Sequence, residues 1–347
     1  MITIQRILCP TDFSSESDEG LRYGVALASA YNAKLFLLYC KEVSKNGNEN
    51  GVDAAGVGMA SLFAASLAPN LGLTTLSELN WEGLVAEKVE DVGNTIVQEA
   101  TKHKVDLIVM RSRRRPHSAV LLGSTAETVY RTSPCPVLVT HPREREWVGF
   151  STGEIDLQQI LVAYDFSSDA EVALNYGLSL AQEYQTELHL LHVLKQAEQE
   201  EPELAWVQKT DSPYTKAASR LQRAIPDEAF AWCRITNAVR WGRTYQEVLA
   251  YAKEHEIDLI CLGANGRDFS LGALFGSNVD RILRQAPCPV LIARPIKSSG
   301  LEASRHSEHQ LEIKNKEGVH DNIKLLHRRK QTSRERSDFV HDRTERT

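Results

Sequence analysis

Four glycines and a serine in one short stretch carry the chemistry this sequence suggests. In Cys261–Asn278 an apolar run, Ile257–Leu262, gives way to Gly263, Gly266 and Gly272. The stretch ends at Gly276-Ser277, where helical spacing begins. Glycine lets a backbone approach a ligand closely and tolerates positive φ. A helix N-terminus presents unpaired N–H groups and a partial positive charge. Strand, glycine loop and helix start together make an anion site, most often a phosphate site. A plain surface loop punctuated by glycine is the alternative.

Other chemistries are poorly served. No GxxxxGK[ST] or HExxH sequence occurs. Gly56-Val57-Gly58 grazes the dinucleotide fingerprint but follows no strand-like run and lacks the third glycine. The six cysteines (Cys9, Cys40, Cys135, Cys233, Cys261, Cys288) form no CxxC pair. Most sit in apolar runs, where cysteine is a small buried hydrophobe, which argues against a disulfide framework or a zinc site. His189 and His192 are three residues apart on a strand-like run, so they point to opposite faces and make no metal pair. No two carboxylates stand out as acid and base.

The elements that must hold the glycine loop occur twice. Arg6–Ser15 (RILCPTDFSS) returns as Gln159–Ser168 (QILVAYDFSS), and Leu35–Cys40 returns as Leu188–Val193. Val105–Met110 returns as Ile257–Leu262, Gly123-Ser124 as Gly276-Ser277, and Pro134–Leu138 as Pro287–Leu291. The order is the same throughout, so two homologous domains are expected, 1–145 and 155–296. Within each, wholly apolar runs alternate with helical spacing. That pattern predicts an α/β fold of two open five-stranded parallel sheets covered on both faces. The third strand is expected at Thr74–Trp81 in the first repeat and Phe230–Ile235 in the second. Such sheets bind ligands at the carboxyl ends of their strands, where strand order reverses.

Composition narrows the class. A net charge of −6 gives no overall reason to expect nucleic acid or an anionic membrane as partner. No apolar run is long enough to span a bilayer. MITIQRILCPTDFSS, with one basic residue, does not read as a secretory leader, and scattered unpaired cysteines fit a reducing cytoplasm. Residues 297–347 hold 12 Lys and Arg against 9 Asp and Glu with few large apolar groups, so a disordered tail is expected, with a transient helix at Leu311–Leu326.

With Asp165 after the first strand of the second repeat, Gly263, Gly266 and Gly276-Ser277 in the loop, and Cys288-Pro289-Val290-Leu291 closing that repeat, the sequence resembles a tandem universal stress protein of the UspA-like family. The resemblance covers nearly all of 5–294. It implies the Rossmann-like fold of the adenine nucleotide α-hydrolase type, ATP binding in many members, and little assigned catalysis beyond slow hydrolysis. Carried over, Ala163 and Asp165 would approach adenine and ribose, and Val193 would offer its backbone to the adenine edge. Leu262 would pack on the nucleoside. Gly263 and Gly266 would wrap the phosphates, and Gly276, Ser277 and Asn278 would donate to them. Mg²⁺ is the ion expected to bridge phosphates. No catalytic residue or protein-bound metal is expected. Asp165 and Ser277 also have simpler readings, as a turn residue and a helix cap.

The first repeat departs from this pattern. Asp12 and Gly123-Ser124 persist, but Arg111 and Arg113 or Arg114 stand where the spaced glycines should be. Their side chains are expected to fill the phosphate space, leaving a degenerate domain that has lost ATP. The leading expectation is therefore a cytoplasmic, nucleotide-responsive stress regulator that binds ATP in its second domain. The alternatives are a protein-interaction module without nucleotide, and a slow ATPase or nucleotidyl transferase. The resemblance also implies that the domains pack through their last strands, Pro136–Thr140 and Pro289–Ala293, within one chain or in a homodimer of four domains.

Overall fold

Each repeat begins with a strand that is apolar on both sides. In Arg6–Thr11 (β1), Ile7 and Cys9 join the core on one face of the sheet and Leu8 joins the core on the other. This is the period of two expected of a strand between two layers of helices. The computed structural model describes residues 2–42, 58–71, 76–112, 123–141, 145–149, 152–195, 212–264 and 277–294. The expected tail, with its helix at Leu311–Leu326, lies outside the described residues.

In the first repeat β1 is followed by α1 (Ser15–Ala30), β2 (Lys34–Glu42), α2 (Met59–Leu67), β3 (Trp81–Val89) and α3 (Val92–Lys102). The repeat closes with β4 (Leu107–Arg111), α4 (Ser124–Thr132) and β5 (Val137–Thr140). The second repeats this order: β6 (Gln159–Ala163), α5 (Ser168–Tyr184), β7 (Glu187–Leu194), α6 (Pro213–Ala224), β8 (Ile235–Trp241) and α7 (Thr244–Glu254). It ends with β9 (Leu259–Gly263), α8 (Ser277–Gln285) and β10 (Val290–Ala293). Residues of α1, α2, α5 and α6 enter one core, and residues of α3, α4, α7 and α8 enter the other.

The strands form one ten-stranded sheet in the order β3-β2-β1-β4-β5-β10-β9-β6-β7-β8. All pairs within a repeat are parallel, while β5 and β10 pair antiparallel, Val139 with Val290 and Val137 with Ile292. The last strands thus cover each other, as expected, and the chain fills both of their hydrogen-bonding edges. Strand order reverses between β1 and β4 and again between β6 and β9, which fixes the two places where a ligand crevice can open.

The third strands are displaced from expectation. Leu76–Glu78 is a turn and β3 begins only at Trp81, and Asp227–Ala231 is a 3₁₀ turn ahead of β8 at Ile235. Both strands are outermost in the sheet. Edge strands carry polar groups such as Glu82, Glu87 and Lys88 in β3, or Thr236, Asn237 and Arg240 in β8. They lack the apolar run that marks a central strand, and the apolar windows next to them drew the sequence reading away.

Two carboxylates align the repeats identically. Asp106, just before β4, accepts N–H bonds from Gln5 and Arg6, both at 2.9 Å, where β1 starts. Asp258, just before β9, accepts from Gln158 and Gln159 at 3.0 and 2.9 Å, where β6 starts. The Asp-Leu-Ile runs of the sequence are therefore clamps that set the central strands in register. Residues 1–296 form one compact unit.

Candidate functional site

The turn after each first strand is built from its Asp-Phe-Ser-Ser sequence. Asp165 Oδ1 accepts the Ser167 N–H at 3.0 Å, and Ser167 Oγ accepts the Ala170 N–H at 3.2 Å, capping α5. In the first repeat Asp12 accepts from Ser14 N–H at 3.1 Å, and Ser14 Oγ accepts from Ser17 N–H at 3.2 Å. Phe13 and Phe166, at φ of 58° and 64°, take a left-handed conformation that bulky residues rarely adopt. Packing holds them there. Phe13 lies against Tyr39 and Phe63, and Phe166 against Tyr164 and His192, with the Arg220 guanidinium 3.8 Å from its ring centre.

This turn projects over the strand-order reversal. Ala163 is level with Leu191 of β7 on one side and Leu262 of β9 on the other. Val193 follows two residues later on β7 and is half-buried, while Leu262 is buried. His192 Nδ1 lies 2.7 Å from the Tyr164 carbonyl oxygen, pinning the turn to β7. Sequence reasoning gave His192 no role, and its part is structural. Ala163, Asp165, Val193, Leu262 and Gly263 therefore converge at one end of the sheet. Ser277 opens α8 and Asn278 is half-buried in its first turn. Gly266 and Gly276 lie outside the described residues.

Gly263 has a packing role as well. A Cβ at this position would meet the Asp169 carbonyl carbon at 2.6 Å and the Ala170 nitrogen at 2.7 Å. The first turn of α5 thus rests on a strand end that has no side chain.

The first repeat shows the corresponding crevice. A cavity of about 270 Å³ opens at the β1/β4 reversal. Apolar side chains including Leu38, Cys40, Ile96, Met110 and Ala126 line it, together with Asp12, Glu16, Glu42 and Arg111. Applying the repeat offset, Pro10, Asp12, Cys40, Met110, Arg111, Gly123 and Thr125 of this lining correspond to Ala163, Asp165, Val193, Leu262, Gly263, Gly276 and Asn278. Most of the sequence-predicted site thus has a counterpart in the wall of a real cavity. Matching the repeats adds two residues that sequence reasoning missed: Lys195, opposite Glu42, and Thr244, which opens α7 as Val92 opens α3. The signal that could have found them was the repeat itself, read outside its motifs.

Arg111 does not obliterate the crevice. Its guanidinium pairs with Glu19 of α1 and is largely buried. The helix makes room for it at Gly20, where a Cβ would come within 3.1 Å of the Arg111 Cβ. Cys40 in the same wall has its thiol pushed up to about 11, first by burial and then by Glu99 and Glu42, so it is no nucleophile near neutrality. Among the described residues no group of three or more His, Cys, Asp and Glu could hold a metal ion. No described helix is long and apolar enough to cross a membrane.

Comparison with known proteins places both repeats. The model of the universal stress protein family matches residues 3–141 and 157–294. A universal stress protein of Synechocystis is 22% identical over 323 residues, covering 84% of this chain and all of its own length. One of Methanocaldococcus jannaschii is 31% identical over 150 residues, 41% of this chain and 85% of the relative. The crystal structure of a universal stress protein from Archaeoglobus fulgidus superposes with a TM-score of 0.58 at 21% identity, covering 83% of this chain and 96% of that one. A further universal stress protein has been solved in complex with cAMP. Two matches, in tandem, over most of the chain make this protein a member of the universal stress protein family.

Proposed function

We propose that the second repeat binds ATP and that the protein is a nucleotide-responsive stress regulator. The observation that carries this reading is the first-repeat cavity. Its lining matches, position for position, the residues expected to hold adenine, ribose and the phosphate-side helix start in the second repeat. In the second repeat the wall carries Gly263 in place of Arg111 and Lys195 in place of Glu42, changes that favour a polyanion. Ala163 and Val193 offer backbone to the base, Asp165 faces the ribose, and Leu262 packs on the nucleoside. Gly263, Gly266, Gly276, Ser277 and Asn278 surround the phosphates, with Mg²⁺ bridging them.

No general base or nucleophile is assigned, so the reading is of a binding protein rather than a dedicated enzyme. The cytoplasm is its proposed location and domain boundaries near 145 and 155 its proposed organisation. A homodimer would use surfaces other than the edges of β5 and β10, which the chain itself fills. Calorimetry with ATP on the wild-type chain and on Gly266→Arg tests the reading. Wild type should bind and the variant should lose at least about a hundredfold in affinity, since an arginine side chain would occupy phosphate space. Absence of binding by wild type removes the function, and equal binding by both removes the site.

A further inference from the structure

On the nucleotide reading of the second repeat, on which this rests, we propose that His192 is a positioning residue for the base. It ends the β6–β7 ladder one residue early and so leaves the Val193 backbone open to the ring. β6 and β7 pair in parallel as far as Ala163 and Leu191. The Tyr164 N–H still donates to the Leu191 carbonyl, at 2.8 Å. The next rung would run from the Val193 N–H to the Tyr164 carbonyl, and it is not made. That carbonyl accepts from His192 Nδ1 instead, at 2.7 Å. A carbonyl oxygen only accepts, so Nδ1 carries the hydrogen. β8 does not use the Val193 groups either. Along β7 the rungs to β8 fall on even-numbered residues, from Leu188 N–H to the Arg234 carbonyl and from Gly242 N–H to the Leu194 carbonyl. Val193 therefore turns its N–H and its C=O toward the end of β6, and among the described residues nothing accepts that N–H. A backbone donor is costly to leave unmade in a half-buried place, so the position suits a ligand. A donor beside an acceptor matches a base edge on which an amino group adjoins a ring nitrogen.

The first repeat closes the same edge. There the pairing continues to Thr11 and Tyr39, which puts the Cys40 N–H on the Thr11 carbonyl. Tyr39 stands where His192 stands in the second repeat. Its ring lies 5.0 Å from that of Phe13, as the His192 ring lies 4.6 Å from that of Phe166, so both rings pack against the turn. Only the imidazole carries an N–H close to its Cβ, where it can draw the turn carbonyl out of the ladder. The first turn is held through a side chain instead, since Thr11 Oγ accepts the Phe13 N–H at 3.0 Å. Tyr164, at the matching position, has no oxygen on its Cβ. The repeats thus differ at the base end as well as in the glycine loop, and one side chain on β7 makes that difference.

Calorimetry with ATP on the full chain, wild type against His192→Tyr and His192→Asn, tests this. His192→Tyr installs the first-repeat residue and should lose at least about tenfold in ATP affinity, because the turn carbonyl returns to Val193. His192→Asn keeps an N–H close to the place of Nδ1 and should stay within about threefold of wild type. Amide hydrogen exchange without nucleotide reads the ladder itself. In wild type the Val193 N–H should exchange at least about tenfold faster than the Cys40 N–H, and in His192→Tyr it should slow to the Cys40 rate. Equal ATP affinity in wild type and His192→Tyr overturns the proposal and leaves the nucleotide reading standing. An equal loss in both variants also overturns it, since packing rather than the hydrogen bond would then be responsible. Exchange of Val193 as slow as that of Cys40 in wild type does so without any variant. A wild-type chain that binds no ATP removes the nucleotide reading, and the base site with it.

Discussion

Tyr130 of α4 donates its hydroxyl hydrogen to the carboxylate of Asp280 on α8, so a buried phenol from one repeat is answered by an acid from the other. Arg131 donates to the same carboxylate at 2.8 Å. Arg294, just after β10, crosses in the same region and donates to the carbonyls of Tyr130 and Arg131 at the end of α4, at 3.0 and 2.6 Å. Those carbonyls are among the ones a helix C-terminus leaves unpaired. The seam is thus a β-pairing reinforced by polar contacts on its α4/α8 face.

Asp280→Ala should therefore destabilise the whole unit rather than the second repeat alone. It leaves the buried Tyr130 hydroxyl without this acceptor, at a cost of about 1–3 kcal/mol. Urea unfolding followed by tryptophan fluorescence should show a lower midpoint in one transition. A second, separate transition for one repeat would show that the seam does not couple them.

Gly263→Ala should cost stability whether or not nucleotide is present. The new methyl would meet backbone atoms of Asp169 and Ala170, which cannot rotate away. Overpacking of this kind costs about 1–3 kcal/mol. Thermal melts without nucleotide check it. An unchanged melting temperature would show that α5 can shift freely. Gly266→Arg, by contrast, is expected to alter ATP binding and not the melt.

Asp258→Ala should cost more than Asp106→Ala. Asp258 is the more buried of the two, accepts two backbone N–H groups and also receives Arg145 Nε at 2.7 Å. Losing these charge-assisted bonds should cost about 3 kcal/mol. Parallel denaturation curves of the two variants test the ranking, and an equal loss in both would contradict it.

His189 should give the protein an acid-sensitive component. Its ring is buried between the Tyr251 hydroxyl at 2.9 Å and Gln159 Oε1 at 2.7 Å. Burial, which outweighs the opposing pull of Glu187, lowers its pKa below the ordinary 6.5. Between the folded value and 6.5 the unfolded chain binds the proton and the folded chain does not, so stability falls as pH drops through that window. His189→Phe, which installs the residue found at the matching position Phe36, should flatten that part of the profile. Urea midpoints from about pH 5 to about pH 7.5 would show it. An unchanged slope would place the acid sensitivity elsewhere.

The duplication, the alternation of strand and helix and the eight central and closing strand positions were legible because they are apolar runs between helical stretches, and burial on both faces leaves no other composition. Asp165 and Ser167 were legible because a turn and a cap are local, decided by residues two and three apart. The edge strands β3 and β8 were not, since half their surface meets solvent and their composition says so. Three things needed the tertiary structure. Gly263 is a seat for α5, which no count along the chain reveals because its partner lies 93 or 94 residues earlier at Ala170 and Asp169. Arg111 turns to Glu19 and leaves a cavity standing, where the residue type alone suggested a plug. The two sheets join into one through β5 and β10, because an apolar edge has to be paired and the nearest matching edge belongs to the same chain.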